Sequence, residues 1–526
     1  MPSSERSADL ESRAAELRER AATLAARLHA EGSASTTVGR ERAILRLLGV
    51  GGLDGQGRPL AQEVVDRFAS LGPARLGGGI CLPFAAAAGE YDLEPQELAL
   101  EIAAGHIDLA LEAEVLRDPE RRAAAEATAA QWLIAAWRRL AAQRTARGEL
   151  RTLLGEPGPT HLGAEVDHPD AALAERRAAE LIGAGADLVL VRVPRDRELR
   201  RGLGEQLDPP ETSDEPRRAP PGSQRGLAVL RAALDRAAAE VGHYAALASH
   251  SVGLAAPDQA VVAGLERVDL VFSDPFEPVV EFGLAPERAV ADHVFAVEVH
   301  ARSGATLVLG PGPVAVAPEM AEGQPIAQAT QAGRALALQA LALELSRAGS
   351  LPDQRIQLCV PLEGLEGGLP AQGRNVAEVH LRRLVFPDHR LALLEPGDGD
   401  LVGWPLVLQL CLAGGEPPAM VLRAPIPSGS PGPSMTGLAD ALRGAAAMGV
   451  VRQVGGLRGP ALEHAQASLT EALATLRAVA ADGWEWLLRT EPPLGRGTAG
   501  SLGRPRLTAA GPVPIRDALD PFTVEA

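Results

Sequence analysis

The sequence predicts an α/β fold, a (β/α)8 barrel of the TIM type with an N-terminal helical layer and a C-terminal helical extension. Three observations predict it. Beyond Gly155, short apolar runs alternate with amphipathic stretches, the pattern of repeated βαβ units and a parallel sheet. Eight such runs fall within roughly 300 residues, which is the arithmetic of a closed barrel. The chain before residue 150 carries helical periodicity and helix-start signals instead. A doubly wound open sheet is the competing arrangement. The expected boundaries are 1–150 for the helical region, 151–455 for the barrel, and 456–526 for a helix with an irregular tail.

Residues 5–31 read as an amphipathic helix with Leu10, Leu17, Leu24 and Leu28 on one side, interleaved with Arg and Glu. That apolar side fits either packing on its own domain or a subunit contact. A second helix spans Val38 to Leu48 and runs into a glycine-rich turn, Gly49 to Gly57. Leu93-Glu94-Pro95-Gln96-Glu97 marks a further helix start, with proline in the first turn and acids at the positive end of the helix dipole. Ala-rich helix continues to about Arg147.

The expected strands are Pro159 to Val166, Asp187 to Arg192, Tyr244 to His250, Val268 to Phe272, Ala305 to Leu309, Ile356 to Val360, Leu391 to Leu394 and Ala419 to Leu422. In a barrel the working groups lie on the loops that follow the strands. The loop after the second strand, Pro194 to Gln224, is long, proline-rich and charged. Its lack of apolar anchors favours a mobile segment over an ordered lid.

All 51 residues pooled as Lys and Arg are arginine, so the chain contains no lysine. A Walker P-loop and a Schiff-base enzyme each need a lysine amine, and this polypeptide alone completes neither. A net charge of -17 without a basic stripe argues against a nucleic-acid partner. Cys81, Cys359 and Cys411 lie far apart in apolar runs, with neither disulfide nor metal spacing. That usage fits a reducing cytoplasm. No run of about 18 apolar residues and no leader-like segment is found, so neither a membrane span nor secretion is expected.

Several motifs carry candidate chemistry. His161, Glu165 and His168 are metal-ligating types on a strand and loop without the helical HExxH order, and no metal is expected. Ser249-His250-Ser251 closes the third strand at the mouth, although neighbours on a strand face opposite ways, which argues against a direct nucleophile–base pair. Ser273-Asp274 follows the fourth strand and suits either a ligand or a helix cap. Gly310-Pro311-Gly312-Pro313 follows the fifth and lets backbone amides approach a phosphate, or simply makes a tight loop. Arg192 ends the second strand, where a guanidinium suits a phosphate, a carboxylate or a structural ion pair. His293 and His300, seven apart on a helix behind the barrel, read as packing residues. The candidate cofactor contacts are Arg192, Ser249, Ser251, Ser273, Asp274, Gly310 and Gly312; no catalytic residue is singled out.

A family resemblance then emerges. Thr36-Thr37-Val38 with Glu41-Arg42, Leu45-Arg46-Leu47-Leu48-Gly49-Val50, Gly57-Arg58-Pro59-Leu60, Val64-Val65-Asp66 and the run Leu93 to Leu109 resemble the N-terminal part of the D-lysine 5,6-aminomutase α subunit. Gly185-Ala186-Asp187, Gly242-His243-Tyr244, Leu265-Glu266-Arg267-Val268-Asp269 and Phe386-Pro387 follow in matching order. The resemblance implies an isomerase that moves an amino group by a radical 1,2-shift on lysine or a related amino acid, using adenosylcobalamin and pyridoxal phosphate. It also implies an obligatory β subunit, which carries the cobalamin-binding Asp-x-His-x-x-Gly motif and the Schiff-base lysine. The chain departs from the family at the mouth. A serine position falls on Val252 beside Ser251 and a tyrosine position on Glu277; a mouth lysine gives way to the acidic stretch Glu395 to Asp400. Those departures raise a second reading, a catalytically degenerate barrel kept as a scaffold or cobalamin-related accessory protein.

Overall fold

The computed structural model describes residues 3–54, 59–70, 72–156, 158, 160–166, 171–192, 223–252, 256–277, 279, 285–310, 325–362, 368–395, 418–423, 458–484 and 512–524. The strands, numbered in chain order, are β1 (Ser35–Thr36), β2 (His161–Val166), β3 (Leu188–Arg192), β4 (Ala246–Val252), β5 (Leu270–Asp274), β6 (Thr306–Leu309), β7 (Ile356–Pro361), β8 (Arg390–Glu395), β9 (Met420–Arg423) and β10 (Val513–Pro514). Strands β2 to β9 pair in parallel in sequence order, and β9 returns to β2 to close an eight-stranded barrel. The open-sheet alternative is thereby excluded.

Both faces of the barrel strands are apolar, as a parallel sheet wrapped by helices requires. Leu188, Leu190, Ala246, Ala248, Leu270, Phe272, Val308, Cys359, Ala392, Leu394, Met420 and Leu422 fill the lumen. Their neighbours Val189, Val191, Leu247, Val271, Leu307, Leu309, Leu358, Val360, Leu391, Leu393 and Val421 join the helix layer outside. This alternation fixes which residues at the strand ends face the lumen.

All eight expected barrel strands are present, but β4 and β5 begin and end two residues later than expected. Tyr244 and Val268 precede their ladders because the lead-in residues belong to the barrel floor. There the Tyr244 hydroxyl donates to Asp269 Oδ1 at 2.8 Å, and Leu247 N donates to Asp269 Oδ2 at 2.8 Å. Arg151 and Arg231 lie over the Tyr244 ring, and both pair with Asp269 at 3.2 Å. Burial, the first effect, and then the Asp269 carboxylate push the Tyr244 hydroxyl up beyond the normal phenol range.

The first helix, Ser3–Ser33, buries Leu10, Leu17, Leu24 and Leu28 in the barrel's own outer cluster. Of its two readings, packing within the subunit is the one observed. The helix Val38–Leu47 starts on Thr37, whose hydroxyl accepts from Arg40 N at 2.9 Å and also bonds Asp292. Glu41 accepts from Thr36 and, at 2.7 Å, from Ile80 N, which explains why Thr36-Thr37 and Glu41 are buried together. Pro95 occupies the first turn of the helix Pro95–Ala104. The long helix Pro119–Leu154 then leads into β2.

Part of the irregular C-terminal tail packs back on the helical layer. β10 pairs antiparallel with β1, and Phe522 packs 5.6 Å from Trp137 and 4.9 Å from Phe295, ring centroid to centroid. Trp137 Nε1 donates to Pro521 O at 3.0 Å. Among the described residues no helix is long and apolar enough to cross a membrane.

Candidate functional site at the barrel mouth

The C-terminal ends of β2 to β9 form the mouth. Parity from the lumen cluster puts Glu165 of β2 inward, since Gly163 two residues earlier faces lumen-lining Leu188; a Cβ at Gly163 would meet that side chain at 2.9 Å. On β4, His250 continues the inward series Ala246 and Ala248 and is 1% exposed. On β5, Asp274 continues Leu270 and Phe272. Arg192, the last residue of β3, stands opposite His250 in the ladder.

Asp274 organises the turn beyond β5. Its Oδ1 accepts from Phe276 N at 3.0 Å and from Glu277 N at 3.1 Å, so the chain folds back and carries Glu277 toward His250. His250 Nε2 lies 4.0 Å from Glu277 Oε2, and both residues are buried. Burial raises the Asp274 carboxyl to about 6, against the two amide hydrogen bonds that lower it. The described mouth is therefore an imidazole among carboxylates over an apolar lumen. Such a site suits a cation or a proton in transit and disfavours a phosphate.

The sequence-derived candidates separate at this point. Asp274 lies in the lumen series. Ser249 and Ser273 alternate with it, in the series of Leu247 and Val271 that faces the helices, and both are buried there. Ser251 follows Ser249 at the same parity on β4; its side chain, like that of Arg192, is outside the described set. Gly312, and the loop expected at Pro194 to Gln224 as far as residue 222, lie outside the described residues. Gly310 adopts φ +131°, and a Cβ there would sit 2.4 Å from Gln339 Nε2. The glycine makes room for a protein side chain.

Sequence reasoning weighs His250 as a base and Glu165 as a metal-ligating type, and puts Glu277 at a family tyrosine position, but names none of the three among the candidate cofactor contacts. A cue was available for the last, because Asp274-Pro275-Phe276-Glu277 is an Asx-turn pattern after a strand. His161 belongs elsewhere: its Nδ1 lies 3.2 Å from Asp187 Oδ1 at the start of β2, far along the strand from the mouth. His293 and His300 are buried in the helix Pro286–Ser303, as packing residues should be, and burial lowers them to about 4 and about 3. Among the described residues, no group of three or more His, Cys, Asp or Glu is placed to hold a metal ion.

The helical layer reaches the rim near β4. Arg46 Nε pairs at 2.8 Å with Asp258, in the first turn of the helix Ala256–Leu265 that follows β4. Gln96 exchanges two hydrogen bonds with Gly51, at 2.8 and 3.0 Å. These contacts explain structurally the Arg46 and Gln96 positions within the resembling segments.

Lysine 5,6-aminomutase α subunits from Fusobacterium nucleatum subsp. nucleatum and Acetoanaerobium sticklandii are 25% and 26% identical, over 69% and 52% of this chain. The matched parts span 66% and 51% of those relatives. Solved structures of a Pyrococcus horikoshii ribulose-1,5-bisphosphate carboxylase/oxygenase and an Anaplasma phagocytophilum dihydropteroate synthase are each 14% identical, with TM-scores of 0.34 and 0.35. The first alignment covers 64% of this chain and 68% of that chain, the second 56% and 100%. Scores that low relate neither fold nor function to this chain. The model of the D-lysine 5,6-aminomutase TIM-barrel domain of the α subunit matches residues 9–398, from the first helix through β8. By that match over most of its length, the chain belongs to the D-lysine 5,6-aminomutase α-subunit barrel family.

Proposed function

We propose that this chain is the α-type subunit of an aminomutase that moves an amino group by a radical 1,2-shift on lysine or a related amino acid. A β subunit bearing the Asp-x-His-x-x-Gly motif and the Schiff-base lysine is its partner. The observation that carries the reading is the family match across residues 9–398. The absence of lysine agrees with it, because the amine that condenses with pyridoxal phosphate then belongs to the partner. A cytoplasmic setting suits the buried free thiols of Cys81 and Cys359.

Adenosylcobalamin and pyridoxal phosphate would supply the radical and the carbonyl chemistry. The described mouth side chains do not fit a phosphate: Glu165, Asp274 and Glu277 are acids, and the neighbouring His250 already faces Glu277. Arg192 at the end of β3 is this chain's own candidate to meet a phosphate, and the rest of that grip falls to the partner. The apolar lumen excludes water from beneath the reacting groups. His250 and Glu277 present a proton-exchanging imidazole and a carboxylate to a substrate ammonium, with Asp274 fixing the turn that carries Glu277.

Size-exclusion chromatography with light scattering tests the partnership. Purified chain mixed with a β-type subunit should elute as a stoichiometric complex. Two separate peaks at tens of micromolar would overturn it.

The acidic mouth also supports a second reading, a barrel that keeps the family fold as a scaffold without turnover. Under it the complex forms but no isomerised product appears.

A further inference from the structure

The ladder between β6 and β7 stops early. Its last pair is Leu309 with Leu358, whereas β7 continues beside β8 to Pro361. Gly310, at φ +131°, turns the chain out of the extended conformation, so the ladder cannot go on. The carbonyls of Leu309, in the last pair, and of Cys359, one residue further along β7, lie where that ladder ends, and buried carbonyls need donors.

Gln339, on the helix Pro325–Ala348, supplies both. Its Nε2 donates to Leu309 O at 2.8 Å and to Cys359 O at 2.9 Å, using the two N–H bonds of one amide. Its Oε1 accepts from Arg382 Nε at 3.0 Å, which fixes the orientation of the amide. Arg382 is 1% exposed and pairs with Glu378 on its own helix, Gly368–Val385. Glu378 Oε1 in turn lies 2.9 Å from His464 Nε2 on the helix Arg458–Asp482. Burial would raise the Glu378 carboxyl, but Arg382 and His464 outweigh it and hold it down at about 2. Three helices are thus joined by one polar chain that ends on the strand tips.

We propose that Gln339 is a positioning residue of the barrel mouth: it clips the ends of β6 and β7 where their ladder fails, and the Arg382–Glu378–His464 chain lets the C-terminal helix set that clip. The proposal deepens the functional reading, since it concerns the rim of the same mouth. Gly310 is part of the device, because any Cβ there would collide with the Gln339 amide at 2.4 Å.

Hydrogen–deuterium exchange on the full-length chain alone tests it, so its outcome is separate from whether the aminomutase reading holds. Gln339→Leu keeps the volume and removes the donors and acceptor. It should raise exchange of the amides in residues 306–310 and 356–362 at least tenfold, while the floor amides of residues 245–247 stay unchanged. His464→Leu should give the same pattern with smaller amplitude. Uniform loss of protection in Q339L, floor included, would reduce Gln339 to a core-packing residue and overturn the proposal. Unchanged rim exchange in Q339L would do the same. A folded H464L with a wild-type rim would sever the C-terminal helix from the clip and refute that half of it. Should Q339L fail to fold, Gln339→Met carries the same expectations.

Discussion

Tyr244 and Asp269 meet across the barrel floor, hydroxyl to carboxylate at 2.8 Å, with Arg151 and Arg231 closing over them. Both residues lie in segments that resemble the aminomutase family, Gly242-His243-Tyr244 and Leu265 to Asp269. Their shared role is structural, at the end of the barrel opposite the mouth, where barrels invest in stability. Family likeness at these two positions marks the frame of the barrel.

Replacing Asp269 should be among the most costly single changes. Asp269→Asn keeps the shape but strips the charge that balances buried Arg231, and loss of one member of a buried pair costs about 3–5 kcal/mol. Tyr244→Phe removes one hydrogen bond and should cost about 1–2 kcal/mol. Urea denaturation of the two variants should show that order.

Gly333 should reverse the usual helix rule. Gly to Ala inside an exposed helix stabilises by about 1 kcal/mol. A Cβ at Gly333, however, would lie 2.4 Å from Ser468 O and 2.6 Å from Glu471 Cβ, where the helices Pro325–Ala348 and Arg458–Asp482 touch. Gly333→Ala should therefore destabilise by about 1–3 kcal/mol, read as a lowered melting temperature.

Thr37 couples the helical layer to the barrel through its cap on Arg40 N and its bond to Asp292. Thr37→Val should lose about 1–2 kcal/mol by thermal melting, and Thr37→Ser should recover most of it.

Acid should destabilise the fold in a defined window. His293 and His300 are lowered to about 4 and about 3, chiefly by burial, with Arg355 and then His293 adding to the effect at His300. Below about pH 6.5 the unfolded chain takes up protons that the folded chain refuses, so stability falls as pH drops toward 4. Asp274, raised to about 6, has the opposite sign: between about pH 4 and 6 the folded state holds the extra proton, so its contribution falls as pH rises. His293→Gln, which preserves a partner for Ser346, should remove about half of the histidine-linked loss between pH 6.5 and 4 in urea titrations, with the His300 share remaining. Asp274→Asn should gain stability relative to wild type at pH 7.5, on the order of 1–3 kcal/mol, and lose that gain near pH 4.

The barrel was legible because each strand is a short apolar run between helical stretches, and that pattern survives any error in end points. Parity was not legible. Strands such as Leu188–Arg192 and Leu270–Asp274 are apolar on both faces, so the sequence does not reveal which residues alternate inward. That is why the sequence offers Ser249 and Ser273 together with Asp274 as mouth contacts, without separating the inward series from the outward one. The ordering of residues 512–524 was equally hidden, because its partners, Ser35–Thr36 and Trp137, lie hundreds of residues away. At Gly310 the sequence offers a phosphate approach or a tight loop and gives no sign of Gln339, the long-range neighbour whose amide a Cβ there would meet.

The most direct test of the central claim is turnover by the reconstituted pair. Chain and β-type partner, supplied with adenosylcobalamin, pyridoxal phosphate and lysine, are followed by chromatography with mass detection for a product of unchanged mass and altered retention. The account predicts that isomer only when both subunits and both cofactors are present. A complex that forms yet yields no isomer from lysine or related amino acids, or an isomer made without the partner, would contradict it.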